Sequence, residues 1–156
     1  MKKLTKKSKV INLGCRLNFF ESEIIENILK KEKDVSKVVI NTCAVTNNAV
    51  QKSIYAVKKA LKDFPNSEVI VTGCASQVEK NRFENLGHIS KIVDNKLKTN
   101  PNSYISEDLV HEQTFNFPSI DYLSTQRTRA MLQIQQGCNH RCTFCIIPYG
   151  LSLIHI

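Results

Sequence analysis

An α/β fold, with a mostly parallel sheet flanked by helices, is what the sequence predicts, and three observations predict it. Short, β-branched apolar runs recur along the first half, as strands buried on both faces do. Helical periodicity fills the gaps between them. A cysteine closes each of the first three runs, which gives the units a common plan.

The first run is "KVINL" at 9–13. Phe20, Ile24, Ile28 and Leu29 then recur at helical spacing and predict an amphipathic helix. "KVVIN" (37–41) is the second strand. Val50, Ile54, Val57, Leu61 and Phe64 step by four and three residues, so they share one helix face, with Lys52, Lys58, Lys59 and Lys62 on the other side. Pro65 and Asn66 stop that helix. "EVIVT" (68–72) is the third strand and "ISKIV" (89–93) a weaker fourth. Strand and helix in alternation give an α/β layer with parallel strands. Residues 95–129 show no sustained period, and their Pro, Asn and Ser residues predict loops. "MLQIQQ" (131–136) reads as one further strand.

The chain has 156 residues, of which 42% are hydrophobic and 23% charged, ordinary for a globular protein. Its net charge of +8 fits an RNA partner without requiring one. Five lysines fall within "MKKLTKKSKV", a pattern usual for a solvated tail. The apolar stretch before Cys15 is too short for a signal-peptide core. No segment approaches the roughly 20 apolar residues of a membrane span. A cytoplasmic location is expected, where six cysteines point to metal or catalysis before disulfides.

Cys15, Cys43 and Cys74 each stand just past the carboxyl end of a predicted strand. In a parallel sheet those ends share one edge, and open α/β sheets bind ligands there. Neighbouring strands lie about 4.8 Å apart, so three adjacent ends suit three thiolates on one metal centre. The alternative for each is a buried free cysteine acting as a small hydrophobe. Gly14 and Gly73 precede two of these cysteines and are expected to allow tight turns.

The remaining cysteines, Cys138, Cys142 and Cys145, lie in "QQGCNHRCTFCIIPYG" with C-x3-C-x2-C spacing. Three thiolates on one loop can hold three irons of a cubane cluster and leave the fourth open to a substrate. A zinc site is the alternative, with His140 as a candidate fourth ligand and, otherwise, an exposed or supporting residue. Phe144 is expected to pack as an apolar residue near the loop.

This loop resembles the radical S-adenosylmethionine (SAM) signature, and "RTRAMLQIQQGCNHRCTFCIIPYG" resembles the methylthiotransferases among those enzymes. "GCRLNFFESE", "INTCAVTNNAVQKS" and "VTGCASQ" are similar to the N-terminal domain of the same family. The resemblance implies two [4Fe-4S] clusters, an auxiliary one on Cys15, Cys43 and Cys74 and a SAM-binding one on Cys138, Cys142 and Cys145. It implies SAM as cosubstrate, an electron donor such as flavodoxin or ferredoxin, and no membrane association. No further catalytic residue is assigned.

The N-terminal strings look most like the branch that places a methylthio group on C2 of N6-threonylcarbamoyladenosine at position 37 of tRNA. The branches acting on isopentenyladenosine or on a ribosomal protein aspartate are the alternatives. A small iron–sulfur or zinc binding module is the alternative of another class. The resemblance divides the chain into an N-terminal domain (1–110), a linker (111–128) and the start of a radical SAM βα barrel (129–150). "LSLIHI" (151–156) departs from the family pattern and is expected to carry no function. Most of the barrel and an RNA-binding domain have no counterpart in the 156 residues, so the chain is expected to be an inactive fragment of such an enzyme.

Overall fold

The computed structural model describes residues 8–31, 35–105 and 133–154. Its elements alternate as β1 (Lys9–Asn12), α1 (Arg16–Lys31), β2 (Lys37–Thr42), α2 (Asn47–Asp63) and β3 (Glu68–Gly73). Two short helices follow, α3 (Cys74–Val78) and α4 (Lys80–Glu84), then β4 (Lys91–Ile92), α5 (Asn102–Ile105) and α6 (Ile147–Gly150). The four strands form one sheet in the order β1-β2-β3-β4, and every pairing is parallel. The predicted α/β class is therefore the observed one.

Side chains alternate across the sheet because successive strand residues face opposite sides. Val38, Ile40, Val69 and Val71 pack with Val50 and Val57 of α2. Val39 and Ile70 pack on the other side with Ile24, Ile25 and Ile28 of α1. Phe83 of α4 joins the α2 layer and Tyr104 of α5 the α1 layer. The strand order follows the sequence while α1 covers one face and α2 to α4 the other. The β1–α1–β2 crossover thus has the opposite hand from the next two, a departure from the usual uniform right-handedness.

The helices begin earlier than their apolar stripes do. In α2 the Thr46 side chain accepts a hydrogen bond from the Ala49 N–H at 3.1 Å, an N-cap that satisfies one free donor of the first turn. Phe64 closes the helix through its N–H to Ala60 O, and Pro65 follows. β4 is only two residues long, although the N–H groups of Ser90 and Val93 extend its pairing to Val69 O and Val71 O.

Two expectations need correction. Residues 133–135 form no strand, and only Gln136 makes an isolated bridge; residues 131 and 132 lie outside the described residues, so the "MLQIQQ" strand does not occur as read. The stretch read as loop from 95 onward carries α5, held because Tyr104 is buried and its hydroxyl donates to Lys98 O at 2.6 Å. The expected linker at 111–128 lies outside the described residues. Among the described residues no helix is long and apolar enough to cross a membrane.

Candidate metal centre

Each of the first three strands hands its chain to a cysteine. Cys15 follows β1 by three residues, while Cys43 and Cys74 come directly after β2 and β3. Because the strands are parallel neighbours, all three lie along the carboxyl edge of the sheet. Cys15 is exposed, Cys43 and Cys74 are buried, and all six cysteines of the chain are free.

Hydrogen bonds stitch these strand ends to one another. Thr42 Oγ1 donates to Thr72 O at 2.7 Å and accepts from the Ser76 N–H at 3.2 Å. Thr72 Oγ1 donates to Val93 O at 2.9 Å. Asn18 of α1 reaches across to donate to Thr42 O at 2.8 Å, and Asn41 Nδ2 donates back to Asn18 O at 2.9 Å. The Cys43 N–H donates to Ser53 Oγ at 3.3 Å. Every side chain in this lattice is buried, so each bond is costly to leave unmade.

The two glycines act in different ways. Gly73 has φ +101°, and a Cβ there would strike the Thr42 backbone, so only glycine turns β3 tightly into Cys74. Gly14 is held by closeness alone, since a Cβ there would run into the Asn18 amide.

The fourth strand end brings no thiol. It brings Asn95, whose Nδ2 lies 3.8 Å from Cys74 Sγ, and Lys98, whose Nζ lies 2.6 Å from Glu21 Oε2. Burial is the main cause that pushes the Cys74 thiol up to about 11. The Lys98 charge opposes it, and the charges of Glu21, Cys43 and Cys15 add to it.

Sequence reading missed this buried polar group. A signal was present: Asn18 and Ser22 lie four residues apart and in phase with Ile25 and Leu29, on the buried face of α1. Polar residues in phase with an apolar stripe mark a core that must satisfy them.

Among the described residues no three His, Cys, Asp or Glu side chains converge closely enough to hold a single metal ion. A cubane cluster binds each thiolate through a different iron, so its ligands stand further apart than those of one ion. Three free thiols along one edge match that donor set in kind.

The second triplet lies beside this edge. Cys138 and Cys145 are partly buried and Cys142 is exposed. The Cys145 N–H closes a turn onto Cys142 O at 3.0 Å. Helix α6, just beyond, packs on α3; a Cβ at Gly150 would come 3.1 Å from Cys74 Cβ, and Asn95 Nδ2 donates to Gly150 O. His140 is exposed. Phe144 does not pack as expected: it is 90% exposed, at the rim of a cavity of about 360 Å³ also lined by Ala44, Thr46 and Ile146.

This edge, carried on a parallel α/β sheet, belongs to a known class. Residues 7–94 match the family model described as the uncharacterized protein family UPF0004. The chain belongs to that family, which forms the N-terminal domain of radical SAM methylthiotransferases. Among individual relatives it is similar to the threonylcarbamoyladenosine tRNA methylthiotransferase MtaB of Rickettsia prowazekii, 35% identical over 92% of this chain and 35% of that protein. The protein of the same name from Bacillus subtilis is 33% identical over 91% of this chain and 36% of its own length. The ribosomal protein uS12 methylthiotransferase RimO of Shigella flexneri is 36% identical over 95% of this chain and 36% of its own length. The chain thus spans about a third of the length of these relatives.

Proposed function

We propose that the chain is the cluster-bearing N-terminal part of a methylthiotransferase whose substrate is N6-threonylcarbamoyladenosine in tRNA. The observation that carries this reading is the delivery of Cys15, Cys43 and Cys74 to one sheet edge by three parallel strands, in a chain of the UPF0004 family.

In this reading Cys15, Cys43 and Cys74 hold an auxiliary [4Fe-4S] cluster, and Cys138, Cys142 and Cys145 hold the SAM-binding one. When bound, the clusters and SAM supply one-electron and sulfur-transfer chemistry that side chains lack. The chain's own part is placement. The Thr42, Thr72 and Asn18 bonds fix the strand ends, the Gly73 turn aims Cys74, and burial of Cys43 and Cys74 keeps water from two of the thiols. The boundaries 1–110, 111–128 and 129–150 follow from the same reading, as does a flavodoxin- or ferredoxin-like electron donor.

The tRNA substrate is supported by the names of the Rickettsia and Bacillus relatives. A second reading, a ribosomal protein aspartate as substrate, is favoured by the comparable identity, 36%, to the Shigella relative.

Two measurements test the proposal. Anaerobic reconstitution should load two clusters; changing Cys15, Cys43 and Cys74 to Ala should remove one, and changing Cys138, Cys142 and Cys145 the other. Iron content indifferent to either triple change refutes the ligand assignment. For the substrate, residues 1–150 replace the matching part of the Rickettsia relative, and the chimera is expressed in a host lacking its own enzyme. Mass spectrometry of tRNA nucleosides should then show the methylthiolated threonylcarbamoyladenosine. A methylthio group on a ribosomal protein instead moves the chain to the second reading.

A further inference from the structure

The outer face of α2 carries a line of cations that no acidic side chain among the described residues neutralises. Lys52, Tyr55, Lys59 and Lys62 recur at intervals of three, four and three residues, which aligns them along one side of the helix. All four are exposed, opposite the buried Val50, Val57 and Ala60. Lys58 flanks the line.

A lysine-rich helix face is ordinarily just a solvated surface, and the other helices of this chain show what that looks like. Lys30 of α1 pairs with Glu26, and Lys80 of α4 pairs with Glu84, each four residues away. In contrast, Lys52, Lys58, Lys59 and Lys62 make no ion pair among the described residues. The only acidic residue on α2 is Asp63, at its last position.

Position makes the line more telling. The Thr46 cap of α2 stands three residues past Cys43, and Ser53, next to Lys52, accepts the Cys43 N–H. The line therefore starts beside the thiol edge and runs away from it for about 15 Å between Lys52 and Lys62. At its far end Lys9 continues it, with Nζ 5.5 Å from the centre of the Phe64 ring just past the helix.

We infer that this face of α2 is a docking surface for the phosphate backbone of a structured RNA, laid so that the RNA extends toward the cysteine edge. Charge complementarity names the partner. Unpaired ammonium groups in a row exchange solvent counterions for phosphates, which supplies much of the affinity in RNA binding. Tyr55, 68% exposed between Lys52 and Lys59, offers a flat ring for an unstacked base or a ribose. The identification of that RNA as tRNA rests on the proposed function; the surface itself does not depend on cluster loading.

The test is fluorescence anisotropy of labelled tRNA with the 156-residue chain, titrated across salt concentrations. Lys52→Gln, Lys59→Gln and Lys62→Gln together should weaken binding by at least about tenfold at low salt and flatten the log–log salt slope by about 2 to 3. Lys30→Gln with Lys80→Gln removes as much charge per site from paired lysines and should leave both quantities nearly unchanged. Equal losses in the two variants would reduce the effect to net charge and overturn the inference. So would tRNA binding untouched by the α2 variant, or binding of a purified ribosomal protein, and not tRNA, through these lysines. In each of these cases the nucleoside analysis of the chimera still decides the substrate separately.

Discussion

Lys98 Nζ lies 2.6 Å from Glu21 Oε2, with each side chain only 1% exposed. The pair joins the loop after β4 to α1 beneath the cysteine edge, and neither of these two atoms has a further hydrogen-bond partner among the described residues. Each charge therefore depends on the other.

Removing one partner leaves an uncompensated buried charge. Lys98→Met should cost about 3–5 kcal/mol of stability, whereas Glu21→Leu combined with Lys98→Met should come close to the wild type. Urea denaturation of the three proteins measures both. A double variant as unstable as the single one would mean that the pair contributes packing that Leu and Met do not replace.

Burial raises the Glu21 carboxyl above its ordinary value of 4.5, and the Lys98 charge and hydrogen bonds from Lys98 and Asn41 only partly oppose this. The native state then binds the Glu21 proton more tightly than the unfolded chain does. Stability from this group accordingly falls as pH rises from that ordinary value through the higher native one. Denaturation midpoints from mildly acidic to neutral pH should show this decline in the wild type and lose it in Glu21→Gln. A wild type that instead gains on Glu21→Gln with rising pH would place the native carboxyl below its ordinary value.

Gly73→Ala places a Cβ at φ +101° against the Thr42 backbone. The backbone strain alone costs about 1–3 kcal/mol, and the collision adds to it. Thermal denaturation should show a clear loss, while Gly87→Ala, with φ +121° but only a side-chain contact at 3.8 Å, should lose less. Similar losses at both sites would mean that strain dominates and the close approach matters little.

Thiol reactivity should separate the cysteines in metal-free protein. Cys15 and Cys142 are exposed, whereas Cys74 is buried with its thiol pushed up to about 11. Only the thiolate is a good nucleophile. Iodoacetamide near neutral pH should label Cys15 and Cys142 well before Cys74, as peptide mass spectrometry can follow. Early labelling of Cys74 would show that the edge opens in solution.

Much of this molecule was legible along the chain. Strands β2 and β3 stood out because a strand buried on both faces has a nearly continuous apolar middle, and the α2 stripe stood out because only one side of that helix meets the sheet. Local rules served poorly where partners were lacking: "MLQIQQ" has strand-like residues, but among its described residues, 133–136, only Gln136 finds a bridge. Phe144 is apolar, yet it is left exposed among the described residues.

The sequence by itself determined which residues come at strand ends, since strand length and the parallel plan put Cys15, Cys43 and Cys74 there. Only the tertiary structure decided that β1, β2 and β3 are neighbours in that order, that α1 and α2 take opposite faces, and that Glu21 meets Lys98 across 77 residues. Periodicity reports which side of an element avoids water. It cannot report which distant element arrives to cover it, because that choice is made by the packing of the whole chain.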